Sequence, residues 1–111
     1  MTGPLSGVRI LDLSAVVSGP MATGILADQG ADVIKVETQG GDLTRRVGPI
    51  KGDMTSLFAT INRGKRAIVL DLKQEAARTI LRELAEKADV LVENFRPGVL
   101  EKMGLSRTEL L

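Results

Sequence analysis

The sequence predicts a three-layer α/β/α fold, in which helices cover both faces of a parallel sheet. Four short segments rich in branched apolar residues are spaced along the chain, and such segments are typical of buried strands. Helix-compatible stretches lie between them, with glycines at positions where a helix is expected to stop. Because neighbouring parallel strands need long crossover connections, this alternation indicates helical crossovers above and below one sheet.

The first half of the chain contains two of these strands and one helix. Residues 8–13 predict the first strand, and residues 32–37 predict the second. Between them, Ser18 is the expected N-cap of a helix that continues through residues 21–29. Gly30 is the expected left-handed stop. The glycine-rich stretch after the second strand predicts a loop without regular structure.

The second half repeats the pattern. Residues 54–61 predict a short helix, residues 67–71 a third strand and residues 89–93 a fourth. Residues 74–88 predict the clearest helix, because apolar positions recur on one of its faces. This stripe consists of Ala77, Ile80, Leu81, Leu84, Ala85 and Ala88. A last short helix is predicted over residues 97–102.

The final residues predict that the natural chain continues. Ser106 and Glu109 have the spacing of a capping box, which opens a helix. Only Leu110 and Leu111 follow it, and a single helical turn cannot recover its nucleation cost by itself. We therefore expect further sequence after this point.

Composition excludes several classes of protein. The 111 residues are enough for one small domain. Cysteine and histidine are absent, which removes disulfides, thiolate metal sites and the commonest metal ligand. The net charge of +1 argues against a nucleic-acid partner. No apolar run approaches the roughly 20 residues of a membrane span, and no signal peptide is visible, so a cytoplasmic location is expected.

Charge is unevenly distributed along the chain. Residues 42–73 contain seven basic residues and three acidic ones. A local basic stretch in a nearly neutral chain fits a phosphorylated small ligand. The alternative is a solvated basic loop that binds nothing.

Candidate binding residues follow the predicted strands, because ligands of open α/β sheets bind outside the carboxyl ends of the strands. Ser18 begins a helix whose amides favour an anion, and Lys73 offers a point charge for phosphate. Asn94 and Phe95 offer an amide and a ring to a base or a pantetheine arm. Alternatively, Asn94 only caps the next turn and Phe95 belongs to the core.

A dinucleotide-binding unit is a competing interpretation of this layout. Glu37 lies about 20 residues after the first turn, where such units place the acid that binds ribose. However, residues 14–20 contain a single glycine. They lack the G-x-G-x-x-G pattern that lets backbone approach a pyrophosphate.

Several motifs occur in order along nearly the whole chain: LDLS with GP, LADQGADVIKVE, GGD, NRGKR, LDLK, ADVLVENFRPG and MGL. In combination they resemble the amino-terminal part of the family III CoA-transferases of the CaiB/BaiF type, which include formyl-CoA transferase and α-methylacyl-CoA racemase. The resemblance implies a Rossmann-like large domain, of which residues 1–111 are the CoA-binding segment. By this resemblance, we expect the remainder of that domain and the small domain to lie outside these residues. It also implies two interlocked subunits in the full-length protein.

The resemblance further implies that coenzyme A or an acyl-CoA binds as a substrate, beside carboxylic acids, without a permanently bound cofactor. It assigns six positions to the path of coenzyme A. These are Val17 and Ser18 near the adenosine end, Leu70 and Lys73 around the base and phosphates, and Asn94 and Phe95 along the nucleotide or pantetheine.

Two further binding positions depart from the family pattern. Lys102 stands where relatives often carry arginine, so a charge is kept but bidentate phosphate binding is lost. Thr38 stands where some transferases place an arginine near the ribose phosphate. Arg45 or Arg63 is a possible replacement for that arginine.

By the same resemblance, the catalytic groups lie beyond Leu111. The transferases use an aspartate that forms an anhydride and an aspartyl-CoA thioester, whereas the racemases use a histidine and an aspartate. We therefore expect this chain to contain no catalytic residue and to be inactive alone. A racemase fragment and a non-catalytic binding or assembly fragment are the alternatives. Self-association through exposed apolar surface, or marginal stability, is also expected.

Overall fold

The computed structural model describes residues 3–48, 50–51 and 54–105. Its strands are β1 (Arg9–Asp12), β2 (Asp32–Glu37), β3 (Ile50–Lys51), β4 (Met54–Thr55), β5 (Arg66–Val69) and β6 (Val90–Val92). Its helices are α1 (Ser18–Asp28), α2 (Ser56–Ile61), α3 (Glu75–Glu86) and α4 (Val99–Lys102), with a 3-10 helix at Leu43–Arg46.

Four strands form one parallel sheet in the order β5-β2-β1-β6. The α/β fold class and the parallel sheet are thereby confirmed. Strand β2 pairs with one side of β1, and β5 pairs with the outer side of β2. The next strand, β6, pairs with the other side of β1. The strand order therefore reverses between β1 and β6, and such a reversal leaves a crevice at the carboxyl ends of the two strands.

Alternating side chains of the sheet build a core on each face. Ile10 and Val33 belong to one buried cluster, which also contains Ala27 of α1. Leu11 lies on the opposite face, in a larger cluster that contains Leu81 of α3. This period-two alternation places α1 on one side of the sheet and α3 on the other, which gives the expected three layers.

The start of α1 differs from its prediction. Val17 occupies the N-cap position, no side chain caps the helix, and Ser18 is the first helical residue. The first amides of α1 consequently have no side-chain acceptor. At the other end the prediction is confirmed, because Gly30 adopts a left-handed φ of 103°.

The prediction of an irregular loop after β2 is wrong. Asp42 accepts a hydrogen bond from the Thr44 amide and thereby caps the 3-10 helix. Strands β3 and β4 then pair in antiparallel fashion. The predicted helix over residues 54–61 begins at Ser56, since Thr55 caps α2 by accepting from the Phe58 amide.

The clearest predicted helix is present as α3, and its apolar stripe is only partly buried. Ala77 and Leu81 are buried, whereas Ile80 is 41% exposed, because α3 turns only a narrow face toward the sheet. The predicted capping box at residues 106–109 lies outside the described residues. In the described parts of the chain, each helix is too short or too polar to cross a membrane.

Candidate ligand-binding site

A cleft of about 680 Å³ lies at the carboxyl ends of β1, β2 and β5. Its volume is within the range of roughly 300–1,000 Å³ that small-molecule sites occupy. Five of the eight binding residues assigned from the sequence line this cleft. They are Thr38, Leu70, Lys73, Phe95 and Lys102. The loops after the strands bring these residues together, since parallel strands end at the same edge of the sheet.

The other three assigned residues lie beside the cleft. Val17 and Ser18 are exposed at the start of α1. Asn94 is held against the loop that follows β1, because its Nδ2 donates to the Ala15 carbonyl at 2.8 Å and its Oδ1 accepts from the Ala15 amide at 3.0 Å. Ala15 itself lines the cleft. Asn94 and Lys73 therefore belong to the same edge of the molecule.

Both Asn94 and Phe95 make structural contacts, whereas their contact with a ligand stays a prediction. The amide of Asn94 bridges two loops across the crevice between β1 and β6, so capping of the next turn is not its role. Phe95 is half-buried and packs against the larger core cluster, and it also lines the cleft. One side of this residue is thus structural, and the other is available to a ligand.

Two lysines that line the cleft have no ion-pair partner among the residues that the structure describes. Within the described residues, Lys73 and Lys102 form no ion pair, and both are exposed. Their ammonium groups are therefore available to an anionic ligand. Three carboxylates also line the cleft, so an anionic ligand would meet these two lysines and not a strongly positive surface.

Arg78 also lines the cleft, and the sequence did not single it out. Its Nη2 donates to the Lys73 carbonyl at 3.0 Å, and its Nη1 lies 3.5 Å from Glu75. Its Nε is buried and makes no hydrogen bond. Arg78 sits on the polar side of an amphipathic helix, where a charged residue is normally solvated, so the sequence offered no signal beyond its spacing from Lys73.

Most of the basic stretch predicted to favour a ligand is engaged within the protein. Four of its seven cations form ion pairs with the chain's own carboxylates. The pairs are Arg45–Glu37, Arg63–Asp28, Lys65–Asp12 and Arg66–Asp32. The stretch is therefore mainly structural, and Lys73 is its member on the cleft.

Neither proposed replacement for the missing arginine at position 38 serves that purpose. Arg45 bonds Glu37 through Nε at 2.9 Å and Nη2 at 2.7 Å, and it stacks 3.8 Å above the Phe58 ring. Arg63 pairs with Asp28 at the carboxyl end of α1, which lies at the opposite edge of the sheet from the cleft.

The contacts of Glu37 argue against the dinucleotide-binding interpretation. Both carboxylate oxygens accept from Arg45, and Oε2 also accepts from the Asp42 amide at 2.9 Å. The hydrogen bonds from Arg45 hold the pKa of Glu37 below its ordinary value. Both oxygens of Glu37 thus already accept hydrogen bonds within the protein, which argues against a role for this carboxylate in binding a ribose.

A second buried ion pair supports the loop after β1. Lys65 donates to Asp12 at 3.0 Å, to the Pro20 carbonyl at 2.9 Å and to Asn62 at 2.8 Å. Burial raises the pKa of Asp12, but hydrogen bonds from Ser14, Thr23 and Lys65 outweigh burial and hold that pKa below its ordinary value. The carboxylate is thus charged and fully occupied by structural partners.

Comparison with known proteins identifies the family. The chain matches CoA-transferase family III over residues 5–111. It is 50% identical over 109 residues to the acetyl-CoA:oxalate CoA-transferase of Acetobacter aceti, covering 97% of this chain and 28% of that protein. It is 52% identical over 106 residues to the formyl-CoA:oxalate CoA-transferase of Bradyrhizobium diazoefficiens, covering 94% and 25%.

Solved structures give the same result. A CAIB/BAIF family protein from Brucella suis superposes with a TM-score of 0.92 at 41% identity, over 99% of this chain and 30% of that one. The chain thus spans between a quarter and a third of the length of the relatives that it matches. Because the family match extends over nearly every residue, the chain belongs to CoA-transferase family III.

Proposed function

We propose that the chain forms the coenzyme A-binding part of an enzyme that transfers coenzyme A between carboxylic acids. The observation that carries the proposal is the cleft, in which Lys73, Lys102 and Arg78 stand near the ring of Phe95. Ammonium and guanidinium groups bind phosphate, and an aromatic ring offers a face to a base. The cleft thus has the groups that a phosphorylated nucleotide requires.

The nucleophile of this enzyme is expected outside residues 1–111. Three carboxylates line the cleft: Glu37, Asp42 and Asp71. Glu37 is bound by Arg45, and Asp42 is bound by Lys35. Asp71 accepts a hydrogen bond from the Lys73 amide at 3.2 Å, so it holds the loop that carries a binding residue. Glu37 and Asp42 are thus engaged by cations of the chain, and Asp71 is bound by a backbone amide, so we assign none of the three as the nucleophile.

In the proposed reaction an aspartate attacks the thioester carbonyl, breaks the carbon–sulfur bond and forms a mixed anhydride with release of the CoA thiolate. The thiolate then attacks the aspartyl carbonyl, which gives an aspartyl-CoA thioester and frees the first carboxylate. The acceptor acid repeats the two steps in reverse. Coenzyme A must stay in place while its sulfur is unattached, and holding its nucleotide end is the task that we assign to this chain.

Titration of coenzyme A into the protein, followed by calorimetry and by amide NMR shifts, tests the proposal. Shifts are expected at Leu70, Lys73, Phe95 and Lys102. Lys73→Ala should weaken binding by about tenfold, the effect of losing a charge-assisted hydrogen bond. Lys87→Ala is the matched control, because Lys87 is an exposed lysine at the end of α3 and away from the cleft.

The outcomes of this titration separate the candidate functions. Binding that Lys73→Ala and Lys87→Ala leave equally unchanged would place coenzyme A elsewhere, and no binding at all would contradict the proposed function. The same sample, mixed with acetyl-CoA and oxalate as in the named relative, is expected to give no transfer. Transfer by the 111 residues alone would show that the nucleophile lies within them.

A further inference from the structure

Val16 has an unusual backbone conformation. Its φ is +71°, and it is the single non-glycine residue with a positive φ among those that the structure describes. A β-branched side chain clashes with the backbone in this left-handed region, so the conformation is strained. Val16 lies in the turn formed by residues 14–17, which joins β1 to α1 and whose first two residues line the cleft.

The carboxylate of Asp42 holds this strained residue. The Val16 amide donates to both carboxylate oxygens, each at 3.2 Å. Asp42 comes from a different segment, 26 positions later in the sequence. It therefore fixes the turn through a tertiary contact, and local sequence does not supply this constraint.

Asp42 is itself fixed by a buried network. Its Oδ2 accepts from Lys35 Nζ at 3.0 Å, and its Oδ1 accepts from the amide and the hydroxyl of Thr44 at 3.0 and 2.9 Å. Burial raises the pKa of Asp42, but the hydrogen bonds from Thr44 and Lys35 outweigh burial and hold that pKa below its ordinary value. The group that faces Val16 is therefore a charged carboxylate.

The same network also contacts the first residue of the turn. Lys35 Nζ donates to the Ser14 carbonyl at 3.3 Å, so the Lys35–Asp42 pair contacts both Ser14 and Val16. A buried ion pair is by itself weak evidence for stability, because desolvation of the two charges offsets their attraction. Its clear structural effect here is on the shape of the turn.

We propose that Asp42 is a positioning residue for coenzyme A, which holds the turn at residues 14–17 in the strained conformation that forms one wall of the cleft. Asp42 acts through the turn and does not contact the ligand in this proposal. The inference rests on the proposed function, since it concerns the affinity of the cleft for coenzyme A. It goes further in assigning that affinity partly to the left-handed conformation that Asp42 imposes on the turn.

A double-mutant cycle tests the inference. Asp42→Asn keeps the size of the side chain but removes its charge, and it is expected to weaken coenzyme A binding by about tenfold. Val16→Gly accepts a positive φ without strain, and the side chain it removes is 42% exposed. The double variant is expected to recover most of the lost affinity, because a glycine turn needs less restraint.

Recovery of affinity by Val16→Gly is the decisive readout, since a direct contact between Asp42 and coenzyme A would not be restored by a substitution that adds no contact. Asp28→Asn is the matched control, because Asp28 is a carboxylate at the far end of α1. Should Asp42→Asn fail to fold, Thr44→Val replaces it, because it removes one hydrogen bond to Asp42 and keeps the ion pair.

Three results would overturn the inference while leaving the proposed function intact. They are unchanged affinity in Asp42→Asn, unchanged affinity in Thr44→Val where that variant is used, and a double variant as weak as the single one. If the unsubstituted protein binds no coenzyme A, the proposed function itself has failed. The two failures are thus distinguished by the first titration of the series.

Discussion

Lys35 and Lys65 are the residues whose placement the sequence least suggests. Lys35 alternates with apolar residues in β2 yet is only 1% exposed, and its partner Asp42 lies in the segment that we predicted to be irregular. The partner of Lys65 is Asp12, 53 positions away. Local patterns carry no information on such pairs. For that reason, the cleft-lining residues that follow the strands could be predicted from sequence, whereas Arg78 and the buried ion pairs that support the cleft could not.

The buried Lys65–Asp12 pair gives the first prediction. Lys65→Met removes three hydrogen bonds and leaves a charged carboxylate without its cation, so we expect the free energy of unfolding to fall by about 3–5 kcal/mol. Urea denaturation followed by circular dichroism measures this change. Arg66→Met is the control, because the Arg66–Asp32 pair is exposed and such pairs contribute at most about 1 kcal/mol. Equal effects of the two substitutions would contradict the prediction.

The backbone of helix α1 packs closely against two neighbouring segments at glycine positions. A Cβ atom built at Gly24 would lie 2.4 Å from the Ile61 carbonyl oxygen, and one at Gly19 would lie 2.2 Å from the Ser14 side chain. These glycines let α1 lie directly against α2 and against the loop after β1. The existence and order of the main helices followed from periodicity, but these contacts between elements did not, because they depend on the strand order.

The substitution Gly24→Ala is expected to change the free energy of unfolding through two effects of opposite sign. Alanine is the better helix former by about 1 kcal/mol, but its methyl group overlaps a backbone carbonyl that cannot rotate away. Overpacking of this kind costs about 1–3 kcal/mol, so we expect net destabilisation in thermal unfolding. Gly40→Ala is the control, since a Cβ there meets nothing within 4 Å. A stabilised Gly24→Ala variant would show that α1 can shift away from α2.

On the scale of the whole molecule, one face of α1 is unusually apolar. Val17, Met21 and Ile25 recur at four-residue spacing, which places them on the same side of the helix, and they are 38%, 47% and 53% exposed. The chain thus presents a continuous apolar stripe on its surface. Such patches mark contact with another protein surface, and we propose that the occupant is the second subunit of the interlocked dimer that the family resemblance implies.

We accordingly expect the 111-residue chain to self-associate through this stripe. Sedimentation velocity at increasing concentration should show species larger than a monomer, and Met21→Lys with Ile25→Lys should shift them toward the monomer. Ile80→Lys is the control, because Ile80 is comparably exposed but lies on α3. A chain that stays monomeric throughout the concentration range would contradict this prediction.

The bridge between Asn94 and Ala15 joins residues 79 positions apart, and this has a consequence for folding. Bringing such distant segments together costs loop entropy, so the crevice is complete only when β6 has docked at the edge of the sheet. A molecule held there then opposes the departure of that edge strand, since it binds the docked state alone. Slowed hydrogen exchange of the β6 amides should therefore report occupancy by coenzyme A, even though the residues of β6 do not line the cleft.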